Sequence, residues 1–260
     1  MDAKFALATL GFLIRLMKTW LFIFMACVVG LTPVAVRAES VEQIINRARA
    51  YLGSENALQA IHTIHFIGAL EIDANARLPA DIIFQKDYRQ RITVTFPKYI
   101  ETTALDHYDA WQKRLNPADP IHWQLSLLDG AQVKRLRANT LENLSFFSGL
   151  DQHGGLIQLA GVVTVDGIAC VKLSFIHASN IIFQRYFDRT TGRLVKTETE
   201  SGGEIREVGE IIVRGVRFPK KVINKSANGQ ATTIVFDQVI LNERIPVSEF
   251  AVPVVPTQTH

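Results

Sequence analysis

The sequence predicts a mainly β fold, a single antiparallel meander with a few helices laid against it. Three observations carry this. Turn residues recur at short intervals from Gly161 to Phe250, as Asp166-Gly167, Thr191-Gly192, Gly202-Gly203, Gly215 and Asn228-Gly229. The runs between them, such as Ala169–Phe175 and Ile181–Phe187, are β-branched and aromatic with no helical spacing. Upstream, Thr63–Asp73 alternates apolar and polar residues, so the meander extends into the first half of the chain.

The chain has 260 residues, and its first forty differ in kind. Met17-Lys18-Thr19 precedes the apolar run Trp20–Val29, then Gly30, Pro33 and Val36-Arg37-Ala38, the parts of a secretory signal peptide cleaved after Ala38. Met17 alone starts a complete leader, so residues 1–16 read as a start-site extension. The apolar run is shorter than the roughly 20 residues a membrane span requires. Losing Lys4, Arg15, Lys18, Arg37 and Asp2 from a chain of 28 basic and 25 acidic side chains leaves 24 of each. No net positive field then remains to attract nucleic acid. Cys27 leaves with the leader and lacks the residues a lipidation site wants before it. Cys170, left alone in an apolar strand, reads as a small core residue.

Ser40 caps a helix, with Gln43 completing a capping box. Val41, Ile44, Ile45, Ala48, Tyr51 and Leu52 form its apolar stripe, with Glu42, Arg47 and Arg49 facing elsewhere. Gly53 ends it and Ser54 caps a second, short helix. Strands follow at Thr63–Asp73, Ala80–Lys86, around Arg91–Phe96, at Tyr99–Leu105 and at Tyr108–Leu115, and Asn116-Pro117 and Asp119-Pro120 close this part of the sheet. Ala131–Ser148 reads as helix with a slip of period near Asn139-Thr140, and the second half of the meander begins after the Asp151–Gly155 loop. About ten strands are expected in all.

Several stretches resemble the outer-membrane lipoprotein-sorting, LolA/LolB-like superfamily, and they come in that family's order. Asp109 and Trp111 with Leu115-Asn116-Pro117 are similar to its Trp-containing hairpin. Tyr186–Gly192 resembles a second hairpin, Gly215–Pro219 a third strand, and Asn242, Phe250 and Pro253 the closing segment. The match spans roughly residues 41–253, with Ala110 where the family's hairpin has glycine. The resemblance implies a half-open antiparallel β-barrel around an apolar cavity, with helices as a lid, that binds lipid without catalysis. Candidates for the cavity wall are Phe66, Leu70, Phe84, Ile92, Val94, Phe96, Trp111, Leu173, Phe175, Phe183 and Phe187, each of which could equally fill an ordinary core. Where the carriers place an arginine and a proline to lock the lid, this chain has Lys86-Asp87, with Arg89 and Arg91 nearby as the alternative gate.

The implied partners are a lipid or an acylated lipoprotein, with an inner- or outer-membrane protein as donor or acceptor, and the implied location is the periplasm. A monomer without cofactor or metal is expected. The competing reading is an envelope sensor or protein-interaction module with the cavity filled. His62 and His65 sit at a helix-to-strand junction and do not converge on a metal. Asp106, His107 and Asp109 have the chemistry of a turn. His177 with Ser174 and Ser179 lacks a nucleophile elbow. Glu198, Glu200, Glu204, Glu207 and Glu210 read as a solvated strand face opposite Lys220, Lys221 and Lys225, or as a docking surface. The domain organisation is thus signal peptide 1–38, lipid-binding half-barrel 39–253 and tail 254–260.

Overall fold

Thirteen strands follow one another in a single antiparallel sheet in the computed structural model, which describes residues 39–72, 76–178 and 180–254. The expected signal peptide lies outside the described residues, as does the tail beyond Val254. The first six strands are β1 (Thr63–Glu71), β2 (Arg77–Gln85), β3 (Arg89–Thr95), β4 (Ile100–Asp106), β5 (Asp109–Asn116) and β6 (Asp119–Leu127). The other seven are β7 (Leu156–Val165), β8 (Ile168–Ala178), β9 (Ile181–Asp188), β10 (Leu194–Thr199), β11 (Glu204–Val213), β12 (Val216–Lys225) and β13 (Ala231–Leu241).

Each half is a meander of hairpins, and β13 returns to pair with β1 at the middle of the sheet. The two free edges are β6 and β7, so the sheet curls without closing. The strand count exceeds the ten expected, and β6 is one reason. Asp119-Pro120 reads as a break, yet proline is tolerated on a strand that pairs on one side only, and β6 bonds β5 alone. At the centre, β1 carries a bulge between Ile67 and Gly68. A side chain at Gly68 would put its Cβ 2.0 Å from the Val235 carbonyl oxygen, so this crossing of β1 and β13 requires glycine.

Three helices cover the concave face. Helix α1 (Val41–Leu52) has the capping box expected at Ser40 and Gln43. It buries Ile44, Ile45 and Ala48 against Val171, Leu173, Phe175 and Phe187 of β8 and β9. Helix α2 (Glu55–Gln59) sends Leu58 into the other cluster, around Ile64, Phe66, Phe84, Phe218 and Phe236. Helix α3 (Gly130–Ser145) joins one free edge to the other and crosses the concave side over β2, β3 and β4. The slip of period at Asn139-Thr140 does not break it, because both side chains donate to the fully buried Gln90 of β3. α3 stops at Ser145, earlier than expected, and Phe146 and Phe147 both adopt left-handed backbone with φ of 48° and 70°. Bulky residues rarely do so, and something must hold them there.

Arg49 is that something. The spacing of α1 sets it aside from the apolar stripe, but it is 7% exposed. Its Nη1 donates to the carbonyls of Ser145 and Phe146 at 2.9 and 2.7 Å and to Ser148 Oγ at 2.8 Å. Nε and Nη2 hold both oxygens of Glu55. One guanidinium thereby ties α1, α2 and the end of α3 together.

The convex face has a cover of its own. Residues 242–254 run back across it, with the short 3-10 turn Val247–Glu249 and a fully buried Phe250. No helix among the described residues is long and apolar enough to cross a membrane.

Candidate functional site

Between the sheet and its helices lies a hollow of about 530 Å³. Its walls join the two core clusters. On one side stand Ile64, Phe66, Phe84, Phe218 and Phe236, on the other Phe183, and Phe146 and Phe147 from the end of α3 close it above. The aromatic wall is tightly coupled: Phe66 stacks on Phe236 with centroids 4.4 Å apart and meets Phe84 and Phe218 edge-on at 6.3 and 5.9 Å. A volume of this size is within the ~300–1,000 Å³ of small-ligand sites.

The eleven wall candidates separate into four groups. Phe66, Phe84, Ile92 and Phe183 line the hollow. Leu173, Phe175 and Phe187 also face the concave side but are fully covered by α1 and Phe147, so they pack as core. Leu70 and Val94 sit further along the strands, opposite Leu78 and Ala80 of β2, outside the lining. Phe96 stacks on Tyr99 where β3 turns into β4, and Trp111 occupies the convex face, donating from Nε1 to the Phe250 carbonyl at 2.9 Å. Register explains Trp111: Ile83, Arg91, Ala104 and Trp111 are successive partners on one face, and Ile82 and Ile92 form a pair on the other.

The gate candidates also separate. Lys86 Nζ donates to the Gln59 carbonyl at 3.2 Å, beside a second cavity of about 610 Å³ that Arg49 and Phe146 also border. Arg89 pairs with Asp106 at the β3–β4 end. Arg91 lies on the convex face between Asp81 and Glu249, where it fixes the C-terminal segment. Close by, His65 bridges Asp81 at 2.7 Å and Glu243 at 2.6 Å. Burial opposes the charge on His65, but the two carboxylates outweigh it and raise its pKa. Burial likewise opposes the charge on Asp81, and His65 and Arg91 overcome it and lower its pKa.

Several residues that the sequence did not single out are charged and border the hollow. Arg185 of β9 and Glu142 of α3 form an ion pair there, and His177 of β8 bonds the other Glu142 oxygen. Burial alone would push the Glu142 carboxyl up, but Arg185 and His177 hold it below its ordinary range. Ser174 does not share this group, because its Oγ donates to Gln184 instead, and Ser179 lies outside the described residues.

Glu207 of β11 departs from the solvated face expected of the acidic block. It keeps accessible surface, yet protein surrounds it, because what it exposes faces the hollow. Loss of hydration pushes its carboxyl up, against a smaller opposing pull from Arg185. The rest of the block is paired: Glu198 with Lys196, Glu200 with Arg135 and Glu204 with Arg206 away from the hollow, and Glu210 with Arg217 at its border. An aromatic and aliphatic wall with charged groups at its border, Arg185, Glu142 and Glu207 together with Arg193, Glu210 and Arg217, can hold an elongated apolar molecule and contact its polar end.

No protein-family model matches the sequence, and no curated protein matches it. Solved structures do. A LolA superfamily protein from Nitrosomonas europaea aligns with a TM-score of 0.53 at 13% identity, over 82% of this chain and 98% of that one. A DUF1329 family protein from Desulfovibrio piger aligns at 0.50 and 11% identity, over 81% and 97%. A domain described as an outer membrane lipoprotein-sorting protein, from Vibrio parahaemolyticus, aligns at 0.50 and 8% identity, over 80% and 94%. Together with the unclosed antiparallel sheet and its covering helices, these alignments identify the fold of this chain as LolA-like.

Proposed function

We propose that the protein is a periplasmic carrier that shelters the acyl chain of a lipid or lipoprotein in the hollow and performs no chemistry on it. The observation that carries this reading is the 530 Å³ hollow, bounded by aromatic rings of the sheet and by the end of α3. An acyl chain gains ~0.8 kcal/mol per methylene removed from water, about 12 kcal/mol for sixteen carbons. A carrier must offset most of that gain to release its cargo, and the end of α3 above the hollow is tied down by the single guanidinium of Arg49, a contact weak enough to open. Protein purified from an envelope fraction is expected to show bound lipid in native mass spectrometry. A ligand-free mass that stays unchanged after exposure to lipid would refute the reading.

A second reading has an observation of its own. Ile121 and Leu127 on edge strand β6, and Leu156, Leu159 and Val162 on edge strand β7, are exposed. Unpaired apolar edges are templates for another chain, which favours an envelope module that holds a partner protein. A co-purifying protein, with no site for an apolar dye, would select this reading over the carrier.

A further inference from the structure

A hydrocarbon chain requires apolar walls and nothing else, and a charge placed among them opposes its own hydration. The hollow nevertheless contains Arg185, 7% exposed, with its guanidinium 4.6 and 5.0 Å from the ring centres of Phe175 and Phe147. Glu142 compensates the charge at Nη1, but Arg185 Nε remains buried without a hydrogen-bond acceptor among the described residues. Native interiors leave few such donors unmet, and one that faces a cavity points to an acceptor supplied from outside the chain.

Glu207 is the second charged group at this part of the wall, with its accessible surface toward the hollow. Arg185 lies opposite Thr197 on β10, Thr197 lies opposite Ile205 on β11, and Glu207 follows two residues later on the same face. It makes no hydrogen bond or ion pair with another described residue. All three of Arg185, Thr197 and Glu207 border the hollow.

We propose that the hollow selects a single-chain lipid ending in a free carboxylate, a long-chain fatty acid, with the carboxylate seated on Arg185 and against Glu207. This rests on the acyl-chain reading above and adds the chemistry of the ligand's polar end. A carboxylate presents two oxygens to a guanidinium edge and satisfies two donors at once. An ester carbonyl presents one oxygen and brings no charge to the guanidinium. Loss of hydration raises the Glu207 carboxyl, and a ligand carboxylate placed beside it would raise it further, so that the two carboxyl groups can share one proton as closely placed acids do. A phosphate dianion would bring twice the charge of a carboxylate against Glu142 and Glu207, and an amine would meet Arg185 head-on. Size agrees with one chain: if a methylene takes about the ~30 Å³ share of a water molecule, the 530 Å³ hollow holds one such chain and not three.

The test is equilibrium binding of dodecanoate, methyl dodecanoate and dodecylamine, each below its micelle concentration, to protein stripped of co-purified lipid. Dodecanoate is expected to bind at least about tenfold tighter than its methyl ester, a difference of about 1.4 kcal/mol. Arg185→Met should reduce dodecanoate to the level of the ester, and Arg185→Lys, which retains the charge facing Glu142 but not the fork, should do the same. Equal affinity for acid and ester, or tighter binding of the amine, overturns the carboxylate assignment and leaves the acyl-chain reading standing. Absence of binding by all three overturns both. A preference for the acid that survives in a folded Arg185 variant overturns the role of Arg185. Should neither variant fold, the wild-type comparison of acid, ester and amine still decides.

Discussion

Replacing Arg49 with methionine tests whether one guanidinium sets the strength of the lid. Methionine keeps the aliphatic stem packed and removes every donor. Arg49 Nη1 has two protons for three acceptors, the Ser145 and Phe146 carbonyls and Ser148 Oγ, so two full bonds from a charged donor are lost. At ~1.5–3 kcal/mol each they sum to about 3–6 kcal/mol. Glu55 is half exposed on the far side and adds less than about 1 kcal/mol. The left-handed backbone at Phe146 and Phe147 then loses its restraint, and the last turn of α3 should open before the sheet does. Backbone hydrogen exchange should rise by about a hundredfold over residues 144–148, the equivalent of ~3 kcal/mol, and ligand release should accelerate with it. Global melting should fall by roughly 6–12 °C if the same 3 kcal/mol couples to unfolding. Exchange in this segment and a melting point both unchanged from wild type would refute the clamp.

Three further outcomes follow from named contacts. His65 has a folded pKa above its ordinary value of 6.5 and Asp81 one below its ordinary 3.8. The histidine's contribution is complete below 6.5 and lost as pH rises through the raised value, and the aspartate's is complete above 3.8 and lost as pH falls through the lowered one. The stability gap between wild type and His65→Gln, from denaturant melts, should therefore be widest near pH ~5 and narrow toward alkaline pH; a gap that widens with rising pH would count against the ionic bridge of His65 to Asp81 and Glu243. Phe175→Ala should destabilise by ~3–5 kcal/mol with little change in lipid uptake, and Phe183→Ala should do the reverse, because only the second faces the hollow; equal effects on uptake would dissolve the distinction. Gly68→Ala should destabilise by more than ~1–3 kcal/mol, since the obstructing atom is the Val235 backbone oxygen and cannot rotate away.

Local chemistry was legible in the sequence where it depends on a few adjacent residues. Ser40 with Gln43 gave a capping box, the Gly- and Asn-containing pairs gave turns, and alternation around Phe66, Phe84 and Ile92 placed them on one face. What alternation leaves open is which face is concave. Trp111 obeys the same rule as Ile92 and ends on the other side, where residues 242–254 supply a cover distant in sequence. Arg49 looked external because arginine usually is, although it lies four residues after Ile45, on the buried side of α1. Arg185 carried a similar signal, since Phe183, Arg185 and Phe187 share a strand face. Glu207 was hidden by its neighbours: in a run of glutamates, the one sharing a face with Ile205 differs from the rest only by parity.

Arg49 and Arg185 are both buried arginines, and the difference between them separates structure from recognition. Each lies at the margin of the same helix end, about Phe146 and Phe147. Arg49 spends its donors on acceptors within the chain, two of them carbonyls that α3 leaves unpaired at its terminus, so removing it should weaken the lid whatever the ligand. Arg185 has a carboxylate for its charge and rings for its faces, but its buried Nε has no acceptor among the described residues, and the side chain borders the hollow. Buried ion pairs often give way to apolar residues of equal volume without loss of stability, so a pair whose replacement costs the fold nothing is there for another purpose. Arg185→Met combined with Glu142→Gln, which keeps an acceptor for His177, should thus cost the fold little while abolishing the preference for an acid over its ester. A double variant that loses stability and retains that preference would show that the pair serves the fold and that the recognition lies elsewhere.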